Sequence, residues 1–251
     1  MVVGNWKMHY TVIESLQLVM GLNNNYTRDV NGQTVEIVVC PPFTALADVG
    51  RFLTQTEIKL GAQDAFYEPQ GAYTGEISVP MLKELNCEYV IVGHSERRHI
   101  LKEDEELIQK KFAAVLRYGL IPILCVGETL DQRQKGETEK VIKRQLQSAL
   151  KGISEENSQR FVVAYEPVWA IGTGQNATPE QANEVCSLIR KELSDILGNG
   201  AGDWISILYG GSVKPNNAAE LISQPEIDGL LVGGASLDAR DFTSIINAAK
   251  K

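Results

Sequence analysis

Short runs of β-branched and other apolar residues begin near Val2, Val35, Lys59, Tyr89, Ile121, Phe161, Ile205 and Gly229, about one every 32 residues along the whole chain. Most are continuous rather than alternating, as in Ile37-Val38-Val39-Cys40 and Ile121-Pro122-Ile123-Leu124-Cys125. Alternation marks a strand with one wet face, whereas a continuous run marks a strand covered on both faces, as in a parallel sheet. Helical patterns fill the intervals. Leu107, Ile108, Phe112, Val115 and Leu116 share one stripe, behind a charged first turn at Lys102 to Glu106. Val141, Ile142, Leu146, Ala149 and Leu150 make a second stripe, and Ala182, Val185, Cys186, Ile189, Leu193 and Ile196 a third. Strand and helix alternating without a linker predict one α/β domain over 1–251, a single (β/α)8 barrel. The competing architecture is an open doubly wound sheet. It is disfavoured because no Gly-x-Gly-x-x-Gly follows the first run.

With 43% hydrophobic residues among 251, the chain can fill a sizeable core. No apolar run approaches the roughly 18 to 20 residues that span a bilayer. The N-terminus lacks a basic segment followed by an apolar one, so no secretory leader is expected and the reading is cytoplasmic. A net charge of −8 disfavours nucleic acid or anionic membrane as partners, but local dipoles can still hold a small anion. Cys40, Cys87, Cys125 and Cys186 are far apart with no Cys-x-x-Cys spacing, which points to buried free thiols and to no metal site.

In a barrel of this kind chemistry sits at the carboxyl ends of the strands, so the residues just after each run carry the most information. The sixth run, Phe161-Val162-Val163-Ala164, leads to Tyr165 and the carboxylate of Glu166, followed by Pro167. Proline fixes its own φ and biases the residue before it towards extended geometry. The apolar segment Val168-Trp169-Ala170-Ile171 then closes on Gly172-Thr173-Gly174, before a capped helix start at Thr178-Pro179-Glu180-Gln181. A mobile lid whose hinge carries an acid/base group is the functional reading. A glutamate merely ending a strand at the surface is the plain one.

The first run ends in Asn5-Trp6-Lys7 and the fourth in Gly93-His94-Ser95-Glu96. Alone, Lys7 is an ordinary solvated lysine. In this position it would point into the mouth and stabilise an oxyanion. His94, just before a helix start, faces the positive end of a dipole and should be a neutral hydrogen-bond donor. His9 and His99 lack that context and read as structural or surface residues. Gly210-Gly211-Ser212 and Gly233-Gly234 end the last two runs. Each pair could be a simple tight turn, but two on adjacent final strands also suit a phosphate cradle of backbone N–H groups. The loop 63–76 is too long for an ordinary connection and rich in aromatics, which suggests that it docks into another subunit.

Five motifs in order resemble the triosephosphate isomerase family from end to end. They are Gly4-Asn5-Trp6-Lys7-Met8, Gly93-His94-Ser95-Glu96-Arg97-Arg98, Ala164 to Gly174, Tyr209-Gly210-Gly211-Ser212-Val213 and Leu231-Val232-Gly233-Gly234-Ala235-Ser236-Leu237. The resemblance implies interconversion of dihydroxyacetone phosphate and glyceraldehyde 3-phosphate through an enediolate, in glycolysis and gluconeogenesis, with no cofactor. It assigns proton transfer between carbons to Glu166 and carbonyl polarisation to neutral His94. Lys7 would supply positive charge and Asn5 would place substrate oxygens. The N–H groups of Gly172, Ser212, Gly233 and Gly234 would hold the phosphate, and Ile171 and Leu231 would close over Glu166. Ser95 and Glu96 would support the site. The resemblance also implies a homodimer, with Thr74 reaching the neighbouring site and Glu76 pairing with Arg97. His9 departs from the family's usual asparagine. A barrel aldolase using Lys7 in a Schiff base, and an inactive scaffold, are the competing functions; the first requires a desolvated lysine.

Overall fold

A computed structural model describes residues 1–26, 35–153, 160–170, 177–198 and 200–250. Eight strands are laid down in chain order: β1 (Val2–Asn5), β2 (Ile37–Cys40), β3 (Lys59–Ala62), β4 (Tyr89–Val92), β5 (Ile121–Val126), β6 (Val162–Tyr165), β7 (Ile207–Tyr209) and β8 (Gly229–Val232). Each pairs in parallel with the next, and β8 returns to β1 with Val3 opposite Leu231, which closes the barrel. The predicted runs all become strands. Three of them (β2, β6 and β7) start one or two residues later than the apolar pattern begins.

The continuous runs follow from burial on both faces. Side chains of a strand alternate sides. Val3, Val38, Ile91, Ile123, Val162, Leu208 and Leu231 point into the barrel and fill it. Their neighbours Val2, Val39, Val90, Leu124, Val163, Ile207 and Leu230 point outward against the helical ring. Burying each such side chain contributes about 1.5–3 kcal/mol, so neither face tolerates polar substitution.

Among the described residues the ring comprises α1 (Val12–Asn25), α2 (Phe43–Leu53), α3 (Val79–Glu84), α4 (Ser95–His99), α5 (Glu105–Arg117), α6 (Leu130–Gln134), α7 (Thr138–Ala149), α8 (Pro179–Leu197), α9 (Ala218–Ile222) and α10 (Ala239–Ala248). The α7 stripe is buried throughout, while Leu107 on α5 and Ile196 on α8 are only half-buried. The expected charged first turn of α5 is shorter than the sequence suggests. Asp104 accepts the Leu107 N–H at 2.8 Å and caps the helix there, leaving Lys102 outside it at φ +62°. Thr178 and Gln181 form the predicted capping box of α8.

The long connection after β3 runs from residue 63 to Ser78, the N-cap of α3. Its neck is closed by the Phe66 N–H donating to the Ile77 carbonyl at 2.7 Å. At its root, Lys111 on α5 is almost wholly buried, yet it contacts Asp64 at 2.7 Å and Glu103 at 2.6 Å, and Arg97 joins both carboxylates. A buried ammonium is tolerable only with partners of this kind. All four cysteines are buried free thiols.

Candidate active site

Asn5 is the last residue of β1, His94 caps α4 just after β4, and Glu166 directly follows β6. The turns after β7 and β8 supply Ser212 and Gly233-Gly234. Barrel closure brings these positions around one cavity of about 930 Å³, which Lys7, Ser95, Glu96 and Leu231 also line. His99, expected as a structural or surface residue, lines the cavity as well. Ile171 and Gly172, with the rest of the expected lid through Gly174, lie outside the described residues.

Glu166 is 2% exposed, and both its oxygens are engaged. Oε1 lies 2.9 Å from His94 Nε2, and Oε2 accepts the Ser95 N–H at 2.9 Å. Burial disfavours the carboxylate, but His94 and the Ser95 N–H more than offset it and hold Glu166 below its ordinary value. Burial likewise disfavours the imidazolium, and the facing carboxylate more than offsets that, so His94 sits above its ordinary value while the two are in contact. The tautomer is fixed independently. His94 Nδ1 accepts the Glu96 N–H at 3.3 Å, which leaves its lone pair occupied and puts the imidazole proton on Nε2, facing Glu166. When Glu166 leaves this contact, burial and the capping bond both favour the neutral donor expected from the sequence.

Space around Glu166 is set by glycines. A Cβ on Gly210 would stand 3.1 Å from Glu166 Cγ and 3.5 Å from Leu231 Cδ2, so the carboxylate stem lies close against that turn. A Cβ on Gly127 would fall 1.8 Å from the Glu166 carbonyl oxygen, a distance no packed atoms sustain.

Lys7 has φ +51°, a left-handed conformation that costs a non-glycine residue about 1–2 kcal/mol. Two hydrogen bonds hold it there. Its N–H donates to Asn5 Oδ1 at 3.0 Å, and its carbonyl accepts from Gln63 Nε2 at 2.7 Å. The strain turns the side chain along Gly233, where a Cβ would lie 3.4 Å from Lys7 Cε, and on to Glu96 Oε1 at 2.6 Å. Both partners are partly exposed, 25% and 41%, so this ion pair adds little to stability and chiefly aims the ammonium. An ion-paired lysine is the opposite of the desolvated one a Schiff base requires.

Beyond Gly234 the chain turns into a short 3-10 helix, Gly234–Leu237, and a Cβ on Gly234 would meet open space. With Ser212, whose carbonyl accepts Asn217 Nδ2 at 3.0 Å, this end of the mouth carries backbone N–H groups and little side-chain bulk. Such a surface suits a phosphate. Glu76 and Arg97 stand elsewhere, on a second cavity of about 300 Å³, and Thr74 is exposed on the long loop. Within the chain Arg97 pairs with Asp64 and Glu103 rather than with Glu76.

The ends of β3 and β5 add two residues that the motifs at the other strand ends do not include. Gln63, directly after β3, ties the Lys7 carbonyl to that of Cys40. Glu128, after β5, is fully buried, and its Oε1 accepts from Tyr165 Oη, Trp169 Nε1 and Arg133 Nη1 at 3.1, 2.9 and 3.0 Å. It thereby anchors the segment Val168–Ala170 that follows Glu166. The tripeptide Val126-Gly127-Glu128, a glycine and a carboxylate at a strand end, was the available signal.

The model of the family "Triosephosphate isomerase" matches residues 1–249. The chain is similar to the triosephosphate isomerase of Moorella thermoacetica, with 52% identity over 246 residues covering 98% of this chain and 97% of that protein. It is 50% identical to that of Caldanaerobacter subterraneus subsp. tengcongensis over 98% of both chains. Identity to the Clostridium tetani protein of the same name is 48%, over 98% of this chain and 95% of that one.

Proposed function

The chain belongs to the triosephosphate isomerase family, and from that premise we propose how its residues divide the work. The reaction interconverts dihydroxyacetone phosphate and glyceraldehyde 3-phosphate through an enediolate, a step of glycolysis and gluconeogenesis. It moves hydrogen between adjacent carbons and oxygens and is balanced within the substrate, so it calls for no electron acceptor.

Glu166 is the base that takes the proton from the carbon beside the carbonyl and returns it to the neighbouring carbon. The observation that carries this reading is the buried pair of Glu166 with His94 Nε2 at 2.9 Å, beside Lys7 and the glycine turns. To act, Glu166 exchanges its bonds to His94 and the Ser95 N–H for substrate. His94 then presents Nε2–H to a substrate oxygen, and Lys7 adds positive charge where the enediolate oxygen develops negative charge. Asn5 positions the oxygens through its hold on Lys7. Gly172, Ser212, Gly233 and Gly234 donate N–H groups to the phosphate, and Ile171 and Leu231 cover Glu166, excluding the water that would let the intermediate decompose. Ser95 and Glu96 support Glu166 and Lys7 in turn.

The assembly is a homodimer in the cytoplasm, with 1–251 acting as one catalytic domain. Thr74 and the long loop reach the partner's mouth. Met8, Ile13, Tyr73 and Ile100 are exposed apolar side chains that a second copy would cover. Among the described residues no helix is long and apolar enough to cross a membrane.

A coupled assay of glyceraldehyde 3-phosphate conversion tests the base. Glu166→Asp withdraws the carboxylate by about 1 Å and should lower kcat roughly 10²-fold without unfolding the protein. Full activity in that variant would remove Glu166 from the role.

A further inference from the structure

Gln145 lies on α7, outside the barrel, and takes no place in the reaction described above. It is nonetheless 3% exposed, and both ends of its amide are committed to one peptide. Oε1 accepts the Gly127 N–H at 2.8 Å, and Nε2 donates to the Gly127 carbonyl at 3.2 Å. The amide thus continues the hydrogen bonding of β5 one residue past its end, where the neighbouring strand no longer supplies partners.

The clamped peptide is the seat of the base. The Glu166 N–H donates to the Val126 carbonyl at 2.7 Å, and the Val168 N–H to the Glu128 carbonyl at 3.1 Å. Between those two anchors the Glu166 carbonyl presses on Gly127 so closely that no Cβ fits. Any shift of Gly127 is therefore passed to the Glu166 backbone, because interiors packed this tightly transmit displacement. We propose that Gln145 is a positioning residue: by fixing the Gly127 peptide it sets where the Glu166 carboxylate comes to rest against the substrate. This rests on Glu166 being the base. The plainer alternative is that Gln145 only satisfies two buried backbone groups and contributes to stability alone.

The full-length protein is compared with Gln145→Leu, which removes both bonds, and Gln145→Glu, which keeps the volume and the acceptor. Glu166→Asp is measured alongside. Readouts are kcat, KM, competitive inhibition by inorganic phosphate, and the pH profile, each on protein whose circular dichroism and melting show it folded at the assay temperature. For Gln145→Leu, kcat should fall towards the roughly 10²-fold expected of a misplaced group. KM and phosphate inhibition should stay within about twofold, since the glycine turns after β7 and β8 are untouched. For Gln145→Glu, activity relative to wild type should rise as pH falls. The protonated carboxyl can accept the Gly127 N–H and donate to its carbonyl, whereas the ionised form can only accept.

Wild-type kcat in a folded Gln145→Leu protein, with Glu166→Asp impaired, overturns the proposal and leaves the base intact. Parallel deterioration of kcat, KM and phosphate inhibition, or a flat relative pH profile for Gln145→Glu, overturns it too. So does failure of both variants to fold, which would assign Gln145 to folding. Undiminished activity in Glu166→Asp would overturn the base itself and this inference with it.

Discussion

At Glu166 burial opposes ionisation, and His94 with the Ser95 N–H favours it more strongly. A carboxylate whose folded value is lowered contributes stability above its ordinary value of 4.5 and loses that contribution as pH falls through the folded value. His94, raised by the facing carboxylate against its own burial, contributes below 6.5 and loses that contribution as pH rises through its folded value. Urea unfolding of wild type and Glu166→Gln across pH should therefore show a stability difference that narrows as pH drops below 4.5. A difference independent of pH would mean that the pair is not coupled. Gly127 makes the sharper steric test. Its Cβ would sit 1.8 Å from the Glu166 carbonyl oxygen, so Gly127→Ala must move one of the two backbones. Overpacking of this kind costs about 1–3 kcal/mol, and a shifted urea midpoint should be accompanied by reduced kcat. Full kcat would mean that the shift is absorbed away from Glu166.

Among the elements, the segment Val168–Ala170 after β6 is held from β5. Glu128 provides one acceptor oxygen for Tyr165, Trp169 and Arg133, and the Arg133 guanidinium lies 4.8 Å from the Trp169 ring centre. Glu128→Leu removes that shared acceptor from the buried Tyr165 hydroxyl and from the part-buried Trp169 and Arg133, and should destabilise the protein by about 1–3 kcal/mol in urea unfolding. A neutral result would show that this segment is held by packing alone. The other flank is the start of α8, where Thr178→Ala should cost about 1 kcal/mol by loss of the capping box. The two flanks differ in legibility. Thr178 and Gln181 are three residues apart, and their pairing can be read directly from the chain. Glu128 and Trp169 are 41 residues apart, and nothing local in the sequence joins them.

Across the whole molecule, Met8 is 94% exposed and Ile100, on the cavity's lining, 71%, apolar exposure of the kind the proposed second copy would cover. A stable interface buries about 1,200–2,000 Å², and in the proposed homodimer the largely exposed aromatic loop after β3 would supply part of it. On the homodimer proposed above, Thr74→Arg should shift sedimentation to a monomer of reduced activity; an unchanged dimer would place the interface elsewhere, and a monomeric wild type would overturn the homodimer. Legible from the chain alone were the eight strands, the stripe of α7 and most of that of α8, the capped start of α8 and the residues at five of the strand ends. Those depend on neighbours within one or two turns, where periodicity and capping chemistry act. Folding alone brings His94 onto Glu166, holds the Lys7 backbone through Gln63 while its ammonium meets Glu96, and buries Lys111 of an amphipathic helix against Asp64 and Glu103. Those contacts join residues from different strands and helices. They exist because barrel closure brings the strand ends around one axis, an outcome that side-chain alternation permits but does not spell out residue by residue.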